Sequence, residues 1–305
     1  MKTQLIIALI LSCPIAVAAS FCKGTQGPFK NAWVKNETAP TGGFPRRRVI
    51  SSNGLPNHDT GCFPNDFNPN AIKEQAYHYS MPIAPGPRGD AYRELAPLTP
   101  FGIGVNGVLF DPAADIYWTD KWGVKHRDWE INIMDSKAPN LGLDQNHAHV
   151  QKGGIYHYHG VPSGLLDLLN GNDKVALVGY GFDGTKLYGP HCYSTIAAGP
   201  DGKPVPVLVE VRSSWQLKSG KRPPPPMVKG GKGGPGGEYD GLYVQDYEYV
   251  EGSGDLDKCN GHTGPTPEFP MGVYHQHVTN RFPFVPRCYR VRKRLEPPFP
   301  DPVKK

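Results

Sequence analysis

From residue 101 onward, short β-branched or aromatic runs alternate with clusters of Gly, Pro, Asn and Asp. Residues 101–110, 129–134, 155–159, 175–180, 205–211, 242–250, 273–279 and 288–291 have strand length and strand composition. One helix stands out at 163–169, a Ser followed by paired apolar residues and stopped by Asn170-Gly171. The pattern predicts a mainly β chain, an antiparallel sandwich or barrel-like single domain with long Gly/Pro-rich loops and one short helix. Residues 20–100 read as a loop-rich N-terminal segment, 101–295 as the β-rich domain and 296–305 as a tail. Within the domain, 219–238 is too rich in Pro and Gly to pack a core and reads as an exposed loop.

The first residues have a different pattern. Lys2, an apolar run from Leu5 to Leu11, and Ala16-Val17-Ala18-Ala19 predict a secretory signal over 1–19. A lipid-anchoring motif at Ile10-Leu11-Ser12-Cys13 fits less well, because the apolar stretch before Cys13 is very short. No later stretch approaches the 18 or so consecutive apolar residues of a membrane helix, so no transmembrane segment is expected. The expected location is periplasmic or secreted.

Composition agrees with many turns, since 37 Gly and 33 Pro occur in 305 residues. The formal charge of +5 is small, and Arg46-Arg47-Arg48 and the basic residues of 290–294 read as solvated surface rather than a nucleic-acid site. Without Cys13, the chain keeps Cys22, Cys62, Cys192, Cys259 and Cys288. Outside the cytosol, two bridges and one leftover thiol are expected. Cys259 with Cys288 is the favoured pair, because these two flank strand-like runs around 273–279; the other three stay unassigned.

The chemistry lies in a repeated phrase. Gly-Ile-Tyr-His-Tyr-His at 154–159 returns as Gly-Val-Tyr-His-Gln-His at 272–277. Alternate side chains of a strand share a face roughly 7 Å apart, so His-X-His aims two imidazoles at one ion. His147/His149, His157/His159 and His275/His277 are three such pairs and make up six of the 11 histidines. A half-exposed polar strand explains one such pair, but a repeat of both histidines points to metal ligation. Between the first two pairs, a three-residue loop Lys152-Gly153-Gly154 sets His149 opposite His157 and His147 opposite His159, with all four rings on one face. A two- or four-residue loop sends the pairs to opposite faces, so the metal reading requires the odd loop. A metal needs about three or four ligands, so the two phrases are expected to converge on one site.

Imidazole-rich coordination puts copper ahead of zinc as the cofactor. Asp183, in Gly-Phe-Asp-Gly, is either a turn residue or the carboxylate that moves protons. Asp240, Asp246 and Glu248 read first as surface polarity, and His191 and His262 as loop histidines, with Asn260-Gly261-His262 preceding the second phrase much as Asn146-His147 precedes the first. Tyr156, Tyr158 and Tyr274 are expected to point away from the histidine face into the core.

Several linked motifs carry a resemblance over 140–290: Asn146-His147-Ala148-His149-Val150-Gln151, the 154–162 phrase, Gly181-Phe182-Asp183-Gly184, Gly237-Glu238-Tyr239-Asp240-Gly241, Asp246-Tyr247-Glu248-Tyr249, the 255–261 run and Thr266-Pro267-Glu268-Phe269-Pro270. This half of the chain resembles the bacterial family named after its YHYH motif. The resemblance implies an exported histidine-motif protein and no particular reaction. Gln276 departs from Tyr158 at the corresponding place in the first phrase.

Two functional classes follow. One is a metalloenzyme, a copper oxidoreductase or zinc-assisted hydrolase. The other is a non-catalytic, surface-associated protein in which the ion closes the β core. No nucleophile elbow, phosphate loop or metalloprotease helix motif is present in the sequence. The expectation is an exported metal-binding protein with catalysis open, its substrate and oligomeric state undetermined.

Overall fold

The computed structural model describes residues 24–41, 44–83, 89, 91–198 and 204–291. The expected secretory signal, Cys22 and the 296–305 tail lie outside the described residues.

Four hairpins form an eight-stranded central sheet. Its strands are β1 (Gly102–Gly104), β2 (Leu109–Phe110), β3 (Ala148–Gln151), β4 (Ile155–Tyr158), β5 (Leu177–Gly181), β6 (Lys186–Tyr188), β7 (Gly261–Thr266) and β8 (Phe269–His277). They lie in the order β3-β4-β2-β1-β5-β6-β8-β7. From either edge the plan is the same. An edge hairpin, β3-β4 or β7-β8, joins in parallel to the outer strand of an inner hairpin, and the inner hairpins meet antiparallel at β1 and β5.

The inner hairpins also share sequence, Gly102-Ile103-Gly104-Val105-Asn106-Gly107 and Gly179-Tyr180-Gly181-Phe182-Asp183-Gly184. Gly107 and Gly184 take φ of 83° and 87°, the positive torsion these tight turns need. The same backbone bond closes each turn, Gly104 N to Val108 O at 2.7 Å and Gly181 N to Thr185 O at 2.8 Å. Where the halves meet, a Cβ on Gly102 would fall 2.1 Å from the Tyr180 carbonyl oxygen, so the close backbone approach admits only glycine. The sheet is a four-stranded unit written twice.

One face buries Phe101, Phe110, Tyr156, Tyr158, Val178 and Leu187. On the other, Ile103, Leu109 and Tyr180 pack against Ile50 and Met81, which belong to a three-stranded sheet of Val34–Thr41, Phe44–Ser52 and Tyr77–Pro82. Each fully buried side chain of this size contributes about 1.5–3 kcal/mol of transfer free energy. The mainly β, single-domain expectation is met, with mostly antiparallel pairing, sheet packed on sheet and the short helix α1 at Ser163–Leu168. No barrel closes among the described residues.

Several local expectations change. Residues 101–110 are two strands, because Asn106-Gly107 turns the chain. The run at 129–134 is the end of a strand, Lys125–Glu130, followed by a bridge between Ile131 and Tyr243. The run at 242–250 begins with a 3-10 turn, Val244–Asp246, before the strand Tyr247–Tyr249. The loop-rich 20–100 segment also supplies the three-stranded sheet.

Within 219–238, Met227 and Val228 are exposed, while Arg222 is buried. Arg222 holds Asp246 through Nε to Oδ1 at 2.7 Å and also pairs with Asp240, so two of the expected surface carboxylates are the loop's anchor. Glu248 pairs in register with Gln216. Cys259 and Cys288 form the expected disulfide, Cys62 is also disulfide-bonded, and Cys192 is a free, buried thiol.

Candidate metal centres

In the first edge hairpin, Gln151 faces Ile155, Val150 faces Tyr156 and His149 faces His157. This is the register of the three-residue glycine turn, with Gly153 and Gly154 both at positive φ. Tyr156 and Tyr158 therefore enter the core, and His149 and His157 project from the opposite face beside His159. His159 Nε2 lies 2.9 Å from His157 Nε2 and 3.2 Å from His149 Nε2.

The second edge hairpin repeats the arrangement. His262 faces His275, and His262 Nε2 lies 3.0 Å from His275 Nε2 and 3.2 Å from His277 Nε2. The two groups, His149/His157/His159 and His262/His275/His277, are separate.

The supporting bonds are duplicated too. Asp144 Oδ2 accepts from Tyr156 Oη at 2.7 Å, and Asp257 Oδ2 accepts from Tyr274 Oη at 2.9 Å. Their other oxygens accept backbone N–H groups, from Asn146 at 2.8 Å and from Cys259 and Gly261 at 2.9 and 3.0 Å. These carboxylates fix the bend that leads each chain into its first histidine.

This bend overturns the expected role of His147. His147 and Asn260 occupy matching positions at φ of 52° and 58°, which interrupts strand alternation just before β3 and β7. His147 Nδ1 donates to the Val161 carbonyl at 2.9 Å, and His147 belongs to neither group. His262, read from sequence as a loop histidine, completes the second group. The spacing from Asp144 to His149 equals that from Asp257 to His262, and that is the signal that identifies it. In place of one converging cluster there are two separate histidine groups, because each phrase finds its third histidine within its own hairpin.

Asp183 sits at the inner-hairpin turn, accepting from Thr185 N at 2.8 Å and from Thr185 Oγ1 at 2.6 Å. It joins neither histidine group. His191 also joins neither, although it lies near enough to His277 to oppose its protonation.

Four rings have a fixed tautomer. His149, His157, His275 and His277 direct Nδ1 to the carbonyls of Leu141, Ile155, Val273 and Gly189 at 3.2, 3.1, 2.8 and 2.7 Å. A carbonyl only accepts, so Nδ1 carries the proton and Nε2 presents a bare lone pair. The Asp111 backbone lies beside His159 and favours its charged form, without a hydrogen bond of normal geometry to Nδ1. Burial holds His149, His157 and His275 near pKa 4 and drives His159 and His277 well below the ordinary value. Neighbouring rings push four of these five further down, His157 alone being lowered by burial only.

In each group the third ring, His159 or His262, can place at most one proton between itself and one neighbour. The remaining contact then sets a neighbour's lone pair at about 3 Å from a nitrogen whose only proton is directed elsewhere, with no hydrogen bond between them, and a cation bound by all three lone pairs removes that conflict. With metal–nitrogen bonds of about 2.0–2.1 Å, these spacings subtend roughly 90–105° at an ion. Each triad can hold a transition metal through three protein nitrogens.

The chain matches the YHYH protein family over residues 78–291. It belongs to that family, and the match takes in both histidine triads. No curated protein and no solved structure matches it.

Proposed function

We propose that the chain is an exported protein that binds two transition-metal ions, one in each histidine triad. The carrying observation is that bare Nε2 atoms converge twice, on duplicated frames whose backbone carbonyls fix the tautomer. Neutral imidazoles favour copper ahead of zinc by the affinity order for nitrogen ligands. The disulfide between Cys259 and Cys288 suits an oxidising compartment outside the cytosol. Among the described residues no helix is long and apolar enough to cross a membrane.

Three protein ligands with one open position are also the donor set of catalytic metal centres. This supports the enzymatic reading, copper oxidoreduction or zinc-assisted hydrolysis, as the second alternative.

Titration of metal-free, untagged protein with Cu(II) tests the proposal. The wild type takes up two ions, His157→Ala/His159→Ala one, His275→Ala/His277→Ala one, and the fourfold variant none. Unchanged uptake in folded variants would make the histidines structural. Loss of both ions from either pair would restore a single shared site.

A further inference from the structure

Because the sheet is duplicated, the two centres can be compared position by position, and they differ on one side. Next to His149 and His157, towards the hairpin turn, Gln151 faces Ile155. Next to His262 and His275, the corresponding pair is Gly264 facing Val273. Residues two apart on a strand share a face, so Gln151 and Ile155 flank the first triad, while the second lacks one flanking side chain and has the other shortened by a carbon.

A Cβ on Gly264 would lie 3.6 Å from His262 Nε2 and 3.7 Å from His275 Cε1, with nothing closer than 3.5 Å. The space left by this glycine abuts the converging nitrogens. Its backbone is outside the positive-φ region, so glycine is not required there for conformation. His262 is half-buried beside the fully buried His275 and His277, whereas in the first triad His149 is 9% exposed and His157 and His159 are each 3% exposed, so any difference in access lies at His262. A small cavity lined by Glu130, Asn132, Met134 and Arg287 touches His159, and neither His149 nor His157 lines it.

We propose that the two centres have different roles. The His262/His275/His277 centre is open, and a hydroxide or other small monoanion reaches its fourth coordination position over Gly264. The His149/His157/His159 centre is closed and structural. A divalent ion held by three neutral imidazoles keeps its full charge, which favours an anionic fourth ligand. This inference rests on the two-ion reading above.

Azide is the probe. Protein carrying two Cu(II) ions should bind one azide with a charge-transfer band. His149→Ala should keep the band and His262→Ala should lose it. Gly264→Leu should retain both ions and weaken azide by about tenfold or more. The reverse variant, Gln151→Gly, should bind a second azide and covers the case in which the leucine disturbs folding. Azide binding at the first triad in wild type, or an affinity unchanged by Gly264→Leu with both ions present, would overturn the inference.

Access is also readable without metal, by the rate at which diethyl pyrocarbonate modifies each ring. His262 should react about tenfold or more faster than His149, and Gly264→Leu should slow it. A chain that takes up no copper would refute the two-ion reading alone; equal rates at His149 and His262 would refute this one.

Discussion

His157 and His275 each turn Nδ1 back to the carbonyl two residues earlier in the same strand, those of Ile155 and Val273. This local bond fixes the tautomer without a distant partner, and it recurs because the phrase recurs. Behind the rings, Asp144 and Asp257 tie a tyrosine hydroxyl and backbone N–H groups together. Replacing Asp144 by Ala strands buried donors, which costs about 1–3 kcal/mol. It should also weaken metal at the first triad by about 10–100-fold, as loss of an orienting partner does, leaving the second triad unchanged. Asp257→Ala should give the mirror result. Denaturant unfolding and copper titration measure both effects, and equal weakening of the two centres by either variant would contradict the duplicated frame.

At the scale of elements, the glycine turn left two registers open for β3-β4, and the structure takes the one that the metal reading required, with His149 opposite His157. The departure of His147 was not legible, because it depends on one residue at φ 52° rather than on spacing. His262 was hidden for a related reason. Its partners lie 13 and 15 residues on, so no His-X-His pair marks it. The internal repeat of Gly-X-Gly-X-(Asn/Asp)-Gly at 102–107 and 179–184 was present in the sequence, but with short strands on either side it reads as turn punctuation. The pairing of Cys259 with Cys288 followed from their flanking strands. The stretch at 219–238 reads as an exposed loop from composition, yet Arg222 anchors it through a buried ion pair with Asp246. Arg222→Ala leaves that carboxylate uncompensated and should destabilise the fold by about 3–5 kcal/mol. A denaturant midpoint equal to wild type would show that the loop is not anchored there.

For the whole molecule, the buried rings make stability depend on pH in the metal-free state. His149, His157 and His275 have pKa values near 4 in the folded chain against an ordinary 6.5. Between those values the unfolded chain binds more protons, so stability rises with pH across the window and falls on acidification from about 6.5 towards 4. The urea midpoint of metal-free protein should therefore be lower at pH 5 than at pH 7, and the His157→Ala/His159→Ala/His275→Ala/His277→Ala variant should lose most of that difference. An unchanged slope in that variant would place the pH dependence elsewhere. The central claim, two centres from one duplicated frame, is tested most directly by anomalous diffraction at the copper edge on crystals of copper-loaded protein. The account predicts two peaks per chain, one bounded by the Nε2 atoms of His149, His157 and His159 and one by those of His262, His275 and His277. A single peak, or none at either triad, would contradict it.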